Sequence, residues 1–243
     1  ANKKTNRNPF KFKRRFKVIY LKLLRTFNKF FGKIIMLSLI DWRREIFKLY
    51  SEVRDEENGQ LAWTKWKSKR DKLFRFHPES PTFNSKRKSG SNFPPILYPY
   101  NPNFCLSSKY KILESSVKLE IITDDHSITR IQPFLKTTDL VEKLNIELTI
   151  FKILGYGGGL FLPFFDMGCS SKGENYQGGR YLIDTIKGAD LGECKNNELR
   201  LDFNFSYNPS CSYNSKWICP IIKNYNKIPL LIDAGEKKPL ETL

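Results

Sequence analysis

The sequence predicts an α+β fold: two N-terminal helices followed by a mostly antiparallel β-sheet closed as a barrel or sandwich. Three observations carry this. Apolar residues recur at helical spacing over residues 38–54. From about residue 108 the apolar period shortens to two. The short strands then follow one another without helices between them, which favours antiparallel pairing and calls for closure to bury their edges.

The first helix follows from Trp42, Ile46, Leu49 and Val53, which fall on one face at 3.6 residues per turn, with Arg43, Arg44 and Lys48 largely off it. Ser38 is a suitable cap. Asn58-Gly59 supplies a turn. A second helix is expected over residues 60–75, bringing Trp63, Trp66, Leu73 and Phe74 to the packing. His77-Pro78 and Ser80-Pro81 end it, because proline disfavours helix in the residue before it. Residues 80–104 read as a connector. Its basic run SKRKSGSN (85–92) is polar, and its proline- and aromatic-rich run FPPILYPYNPNF fits an extended strap on a surface.

The strands come next. Val117, Leu119 and Ile121 alternate with Lys118 and Glu120, and Asp124 to Ser127 reads as a turn. Ile128–Leu135 is a strand interrupted by Pro133, which places it at an edge or an end. Ile146, Leu148 and Ile150 alternate again. Gly155–Gly159 is a hairpin loop before Leu160–Phe165, because its GYGGG lacks the spacing and following helix of a phosphate loop. Tyr181–Ile186 and Leu199–Tyr207 complete the set.

Composition bounds the function. Hydrophobic residues make up 40% of the 243 and aromatics 14%, enough for a core. No run of about 20 apolar residues exists, so no transmembrane helix is expected. The net charge of +17 is uneven: residues 1–35 hold twelve Lys and Arg and no acid, leaving 30 bases against 25 acids. Residues 1–35 are thus a basic, aromatic-rich tail outside the working domain, and 36–243 form a single domain. The tail suits a nucleic-acid backbone, an anionic membrane or a targeting role. The cysteines, Cys105, Cys169, Cys194, Cys211 and Cys219, are odd in number and form no CxxC. Free thiols and a cytoplasmic location are the default, with a Cys211–Cys219 disulfide open to an exported chain. Metal ligands at useful spacing are absent, and the sequence names no cofactor.

Chemistry concentrates in DFNFSYNPSCSYNSKWICP (202–220). If the strand continues to residue 208, Leu199, Leu201, Phe203, Phe205 and Tyr207 share one face. Arg200, Asp202, Asn204, Ser206 and Asn208 share the other, either as a solvated surface or as a row that binds a polar ligand. Cys211 is the candidate nucleophile, with His77 or Arg180 as the group that would activate it, and Asp202 is the second catalytic candidate. Gly178-Gly179 present Arg180, which offers its fork to an anion or pairs with Asp166 or Asp184. A pocket would use Arg180, Tyr181, Asn204, Tyr207, Asn208, Tyr213 and Trp217. It would bind a small anionic molecule, or serve an enzyme of the hydrolase or transferase class. A third reading is an assembly protein working through the tail.

Six segments together resemble a known family: LIDWRREIFKLYSEVR, RDKLFRFHPESP, LFLPFFD, YQGGRY, LDFNFSYNPSCSYNSKWICP and IPLLIDAGEK. In that order they resemble domain-of-unknown-function family 1684, over roughly residues 37–238. No activity comes with the family. The resemblance implies a soluble, mostly bacterial-type protein with the tail outside the domain. It also implies that Asp166, Tyr176, Gly178, Gly179, Arg180, Tyr181, Asp202, Asn204, Tyr207, Asn208, Cys211 and Cys219 belong to one shared site or core.

Overall fold

A computed structural model describes residues 37–83, 93–122, 127–194 and 198–240. The basic tail and His126 lie outside them. The chain divides between Asp41 and Trp42, and the unit Trp42–Leu243 holds both sheets and the helical faces that pack on them.

Two helices lead. Helix α1 covers residues 37–55 and α2 covers Gly59–Phe76. Both match the spacing of their apolar residues: Ile46, Leu49, Tyr50 and Val53 on α1, and Ala62, Trp63, Trp66, Leu73 and Phe74 on α2, are buried. Asn58 does more than end α1. Its side chain accepts from Leu61 N and caps α2. His77 closes α2 by donating its N–H to Leu73 O.

Among the described residues, nine strands follow in two open sheets. The smaller has the order β1-β9-β8, from Cys105–Ser108, Glu198–Asp202 and Glu193–Cys194. The larger has the order β2-β4-β5-β6-β7, from Tyr110–Ile112, Ile128–Thr137, Thr149–Ile153, Gly159–Phe164 and Arg180–Asp184. Strand β3 (Leu119–Ile122) pairs with β4 as well. All these pairings are antiparallel. A one-turn helix, α3 (Val141–Leu144), joins β4 to β5.

Neither sheet closes into a barrel among the described strands. The free edge of β7 is occupied otherwise: Tyr181 and Tyr207 exchange both backbone hydrogen bonds, at 2.9 and 3.0 Å, and Asp184 pairs with Ala189. Pro133 also sits elsewhere than expected. Strand β4 is central, with β5 on one side and β3 and β2 on the other. The proline is accommodated because the β5 register shifts between Pro133 and Leu135. On the opposite side, β3 pairing ends at Ile131 and β2 pairing begins at Leu135. A residue without an N–H therefore falls where neither neighbour needs one.

The strap is formed. Tyr98 N donates to Gly235 O and Lys237 N to Ile96 O, so residues 96–98 lie antiparallel against 235–237.

Candidate functional site

The strand expected to run to residue 207 stops at Asp202. Its carboxylate Oδ1 accepts Asn204 N at 3.0 Å and caps a 3₁₀ turn over Phe203–Phe205. The alternation beyond that point has no solvent side. Asp202, Asn204, Ser206 and Asn208 are as buried as Phe203 and Phe205. The polar row is therefore internal, and each member has a fixed partner. Asn204 mimics a peptide group toward Asn101, accepting its N–H at 2.8 Å and donating to its C=O at 2.9 Å. Burial pushes the Asp202 carboxyl up, against the hydrogen bonds from Asn204.

Arg180 is a clamp on the segment 232–236. It is 0% exposed. Nη2 donates to Asp166 Oδ2 at 2.7 Å and Ile232 O at 2.8 Å, and Nη1 donates to Ala234 O and to Glu236 O. Of the two pairing partners considered, Asp166 is the one found. Asn175 and the Gly168 N–H hold its other oxygen at 2.8 and 2.7 Å. Gly179 takes φ +82°, and a Cβ there would lie 2.7 Å from Phe164 O. The glycine thus sets Arg180 close against β6. Both terminal nitrogens of this guanidinium are committed inside the protein, so it presents no fork to a ligand.

A second guanidinium differs. Arg70 stands on α2 between Trp66 and Phe74, at i, i+4 spacing, so it shares their buried face. It is 6% exposed. Nε donates to Glu236 Oε1 at 2.6 Å. Glu236, 0% exposed, takes Asn208 N at 2.8 Å and the Tyr213 hydroxyl at 2.7 Å on its other oxygen. The rings of Trp66, Phe74 and Tyr207 lie 5.2, 4.8 and 5.2 Å from the Arg70 guanidinium carbon. Among the described residues, Nη1 and Nη2 of Arg70 make no hydrogen bond.

Arg70 lines a pocket of about 50 Å³. Its floor is Ile46 and Tyr50 of α1, Arg70 and Phe74 of α2, Pro81, Ala189, Tyr207 and Asn208, and its rim is the half-buried Trp42, Lys187 and Ser210. Three buried polar atoms of this floor lack a protein partner: Tyr50 Oη, Tyr207 Oη and Asn208 Oδ1. The Trp66 indole lies beside Tyr50 Oη without the geometry of a full bond. Burial pushes Tyr50 up to about 12 and Tyr207 well above the ordinary phenol value, so both hydroxyls stay protonated donors. At the rim, Lys187 Nζ stands 4.0 Å from Asp184 Oδ2.

Of the residues expected to form a site, Tyr207 and Asn208 line this pocket. Tyr213 lies just behind the lining, accepting from Asn208 Nδ2 at 3.3 Å, donating to Glu236 and packing edge-on against Phe74. Tyr181 is buried on β7 and donates to Pro220 O at 2.6 Å. Asn204 faces Asn101, Asp202 accepts from Asn204, and Trp217 is half-buried outside the lining. Cys211 is half-buried in the 3₁₀ turn Ser210–Ser212, and its N–H donates to Cys219 Sγ at 3.4 Å. Neither His77 nor Arg180 adjusts it. Its neighbour Cys219 and burial hold the Cys211 thiol above its ordinary range, while Cys211 pulls Cys219 below it. Tyr50, Arg70 and Glu236 were not expected from sequence. The signal for Arg70 was a cation between two buried aromatics on one helical face. For Glu236 it was an acid closing an apolar run.

Among the described residues, no group of His, Cys, Asp and Glu could hold a metal ion, and no helix is long and apolar enough to cross a membrane.

A family model described as "Protein of unknown function (DUF1684)" matches residues 93–237. The match takes in Arg180, Tyr207, Asn208 and Glu236 and begins after α2. Among curated proteins none matches the chain. Among solved structures, the chain is similar to the solution NMR structure of an uncharacterized protein of Haloarcula marismortui. The identity is 21% and the TM-score 0.50, over 77% of this chain and 98% of that one. At that identity the likeness is one of fold.

Proposed function

We propose that this chain, which belongs to the DUF1684 family of proteins of unknown function, binds a small carboxylate in the pocket floored by Arg70, Tyr50 and Tyr207. One observation carries the reading: a buried guanidinium has two uncommitted nitrogens beside three buried polar atoms without partners. Each such atom costs about 1–3 kcal/mol when left unpaired. A pocket that keeps several of them is built for something that pairs them.

Charge and size select the ligand. Glu236 already neutralises Arg70 in part, so one further negative charge is what the Arg70 fork and the rim Lys187 accommodate. A carboxylate matches that fork in two parallel hydrogen bonds. The hydroxyls of Tyr50 and Tyr207 supply further donors, and Asn208 Oδ1 accepts from a ligand N–H or O–H. A volume of about 50 Å³ holds roughly two water-sized groups, the space taken by the two oxygens of a carboxylate. That admits a carboxylate, with the rest of the molecule leaving between Trp42, Phe74 and Pro81.

The reading favours binding over catalysis, because neither Cys211 nor Asp202 lines the pocket. A nucleic-acid- or membrane-binding role for residues 1–35 concerns residues outside those described.

The test is a thermal-shift series on the full chain. Acetate, propionate and benzoate are compared with their amides and with inorganic phosphate. At 100 times Kd, a ligand that binds only the native state adds about 2.7 kcal/mol, or roughly 5–11 °C for a domain this size. The acids should raise Tm and the amides should not. Equal shifts for acid and amide, or none for any acid, would remove the proposal.

A further inference from the structure

The loop 211–219 holds a second constellation, which the pocket does not use and which does not depend on it. Cys211 opens the loop from a 3₁₀ turn and Cys219 closes it. Their contact is specific. The Cys219 sulfur accepts the Cys211 N–H at 3.4 Å. A backbone N–H aimed at a sulfur favours its thiolate, and the residue that supplies this N–H carries the thiol that could later bond to it. The Tyr176 hydroxyl also neighbours Cys211.

We infer that Cys211 and Cys219 are a reversible dithiol–disulfide centre, oxidised by hydroperoxides within the 211–219 loop. The Cys219 thiolate attacks one peroxide oxygen, the O–O bond breaks, and the departing hydroxide takes up a proton as water. Cys219 is then a sulfenic acid. The Cys211 sulfur attacks the Cys219 sulfur, the S–OH bond breaks, and the hydroxyl leaves with the Cys211 proton as a second water. Two thiols have lost two electrons to one peroxide. With Cys219 Sγ 3.4 Å from the Cys211 backbone nitrogen, a side-chain adjustment brings the two sulfurs to the bonded separation of about 2.0 Å.

The other thiols sharpen the assignment. Cys105 is the most exposed of the five. Yet burial and the nearby Asp202 charge hold it up at about 11, and burial and Asp166 hold Cys169 up at about 12. Burial raises Cys194 as well. Exposure alone therefore ranks Cys105 first, whereas the geometry ranks the buried Cys219 first. That reversal is what the experiment reads.

The full reduced chain is treated with one equivalent of hydrogen peroxide, alkylated at intervals and mapped without reduction. The Cys211–Cys219 disulfide should be the first product, at least about tenfold ahead of oxidation at Cys105 or Cys194. Dithiothreitol should return it to two thiols. In Cys211→Ser, a dimedone adduct should mark a sulfenic acid on Cys219. In Cys219→Ser, Cys211 should survive the same exposure. If either variant fails to fold, the wild-type map decides alone. Oxidation of Cys105 or Cys194 first, or recovery of Cys211 and Cys219 as alkylated thiols or sulfinic acid, would overturn the inference.

Discussion

Glu236→Gln removes one charge and almost no volume, so its cost isolates the buried pair. Glu236 accepts from Arg70 Nε, Asn208 N and the Tyr213 hydroxyl. Glutamine keeps one acceptor and turns an amide NH₂ toward groups that also donate. Arg70, itself 6% exposed, loses the carboxylate it pairs with. Breaking a buried ion pair from one side costs about 3–5 kcal/mol. Against a total stability of about 5–15 kcal/mol, and at 2–4 °C per kcal/mol, Tm should fall by roughly 6–20 °C. Arg70→Met should cost a similar amount, since the Glu236 carboxylate is then the stranded charge. The double variant Arg70→Met, Glu236→Gln leaves no stranded charge. It should be less destabilised than the sum of the singles by about 2 kcal/mol or more. Urea unfolding followed by circular dichroism and tryptophan fluorescence measures all four corners of the cycle. Additivity within about 0.5 kcal/mol, or a Glu236→Gln cost below about 1 kcal/mol, would refute the pairing argument.

Three further outcomes are expected. Tyr207→Phe deletes a buried hydroxyl without a protein partner, so the free protein should gain about 1 kcal/mol while the acid-dependent Tm shift shrinks; a loss of stability in urea unfolding would mean that the hydroxyl is already satisfied. Alkali should unfold the domain cooperatively. Burial raises Tyr50, Tyr181, Tyr207 and Tyr213 above 10, so between pH 10 and their native values the unfolded state binds fewer protons. Stability is thus intact below pH 10 and falls above it, by up to about 5 kcal/mol per pH unit for four groups. Phenolate absorbance that rises gradually near pH 10 with unchanged circular dichroism would contradict this. Gly235→Ala should cost at least about 3 kcal/mol. Its φ is +76°, and a Cβ would meet Ser206 O at 2.6 Å and Phe203 O at 2.7 Å; native-like chemical denaturation of the variant would show that the segment can shift.

Both helices were legible because their signal is local: Trp42, Ile46, Leu49 and Val53 lie on one face whatever the rest of the chain does. The strands were legible wherever one side met solvent. The alternation misled at 203–208 because a period of two reveals faces only when the faces differ, and here both are buried. The residue that ends the strand was visible, since Asp two positions before Asn204 is a natural cap. Its competition with the alternation was not decidable from spacing. Pro133 misled for a related reason, because the gap between β3 and β2 that tolerates it depends on strands distant in sequence. In the pocket, Tyr207 and Asn208 were found from their motif. Arg180 looked like the ligand's cation, but its carbonyl partners, Ile232, Ala234 and Glu236, are 52–56 residues away. Arg70 and Tyr50 were missed since neither belongs to a motif and each gains meaning only when α1, α2 and residue 236 meet.

The segment 232–236 sets the order in which this chain can be completed as it leaves the ribosome. Arg70 precedes its carboxylate by 166 residues. At about 5–20 residues per second, the arginine waits roughly 8–33 s before Glu236 has been made. Arg180 waits too, since the carbonyls of 232, 234 and 236 arrive after it. Until then both guanidiniums keep their hydration, and α2 cannot settle its charged face into an apolar interior. The nascent α2 is therefore held open by its own Arg70. Arrival of one short segment supplies a carboxylate and three carbonyls together, so the step that buries the charges also licenses α2 to dock.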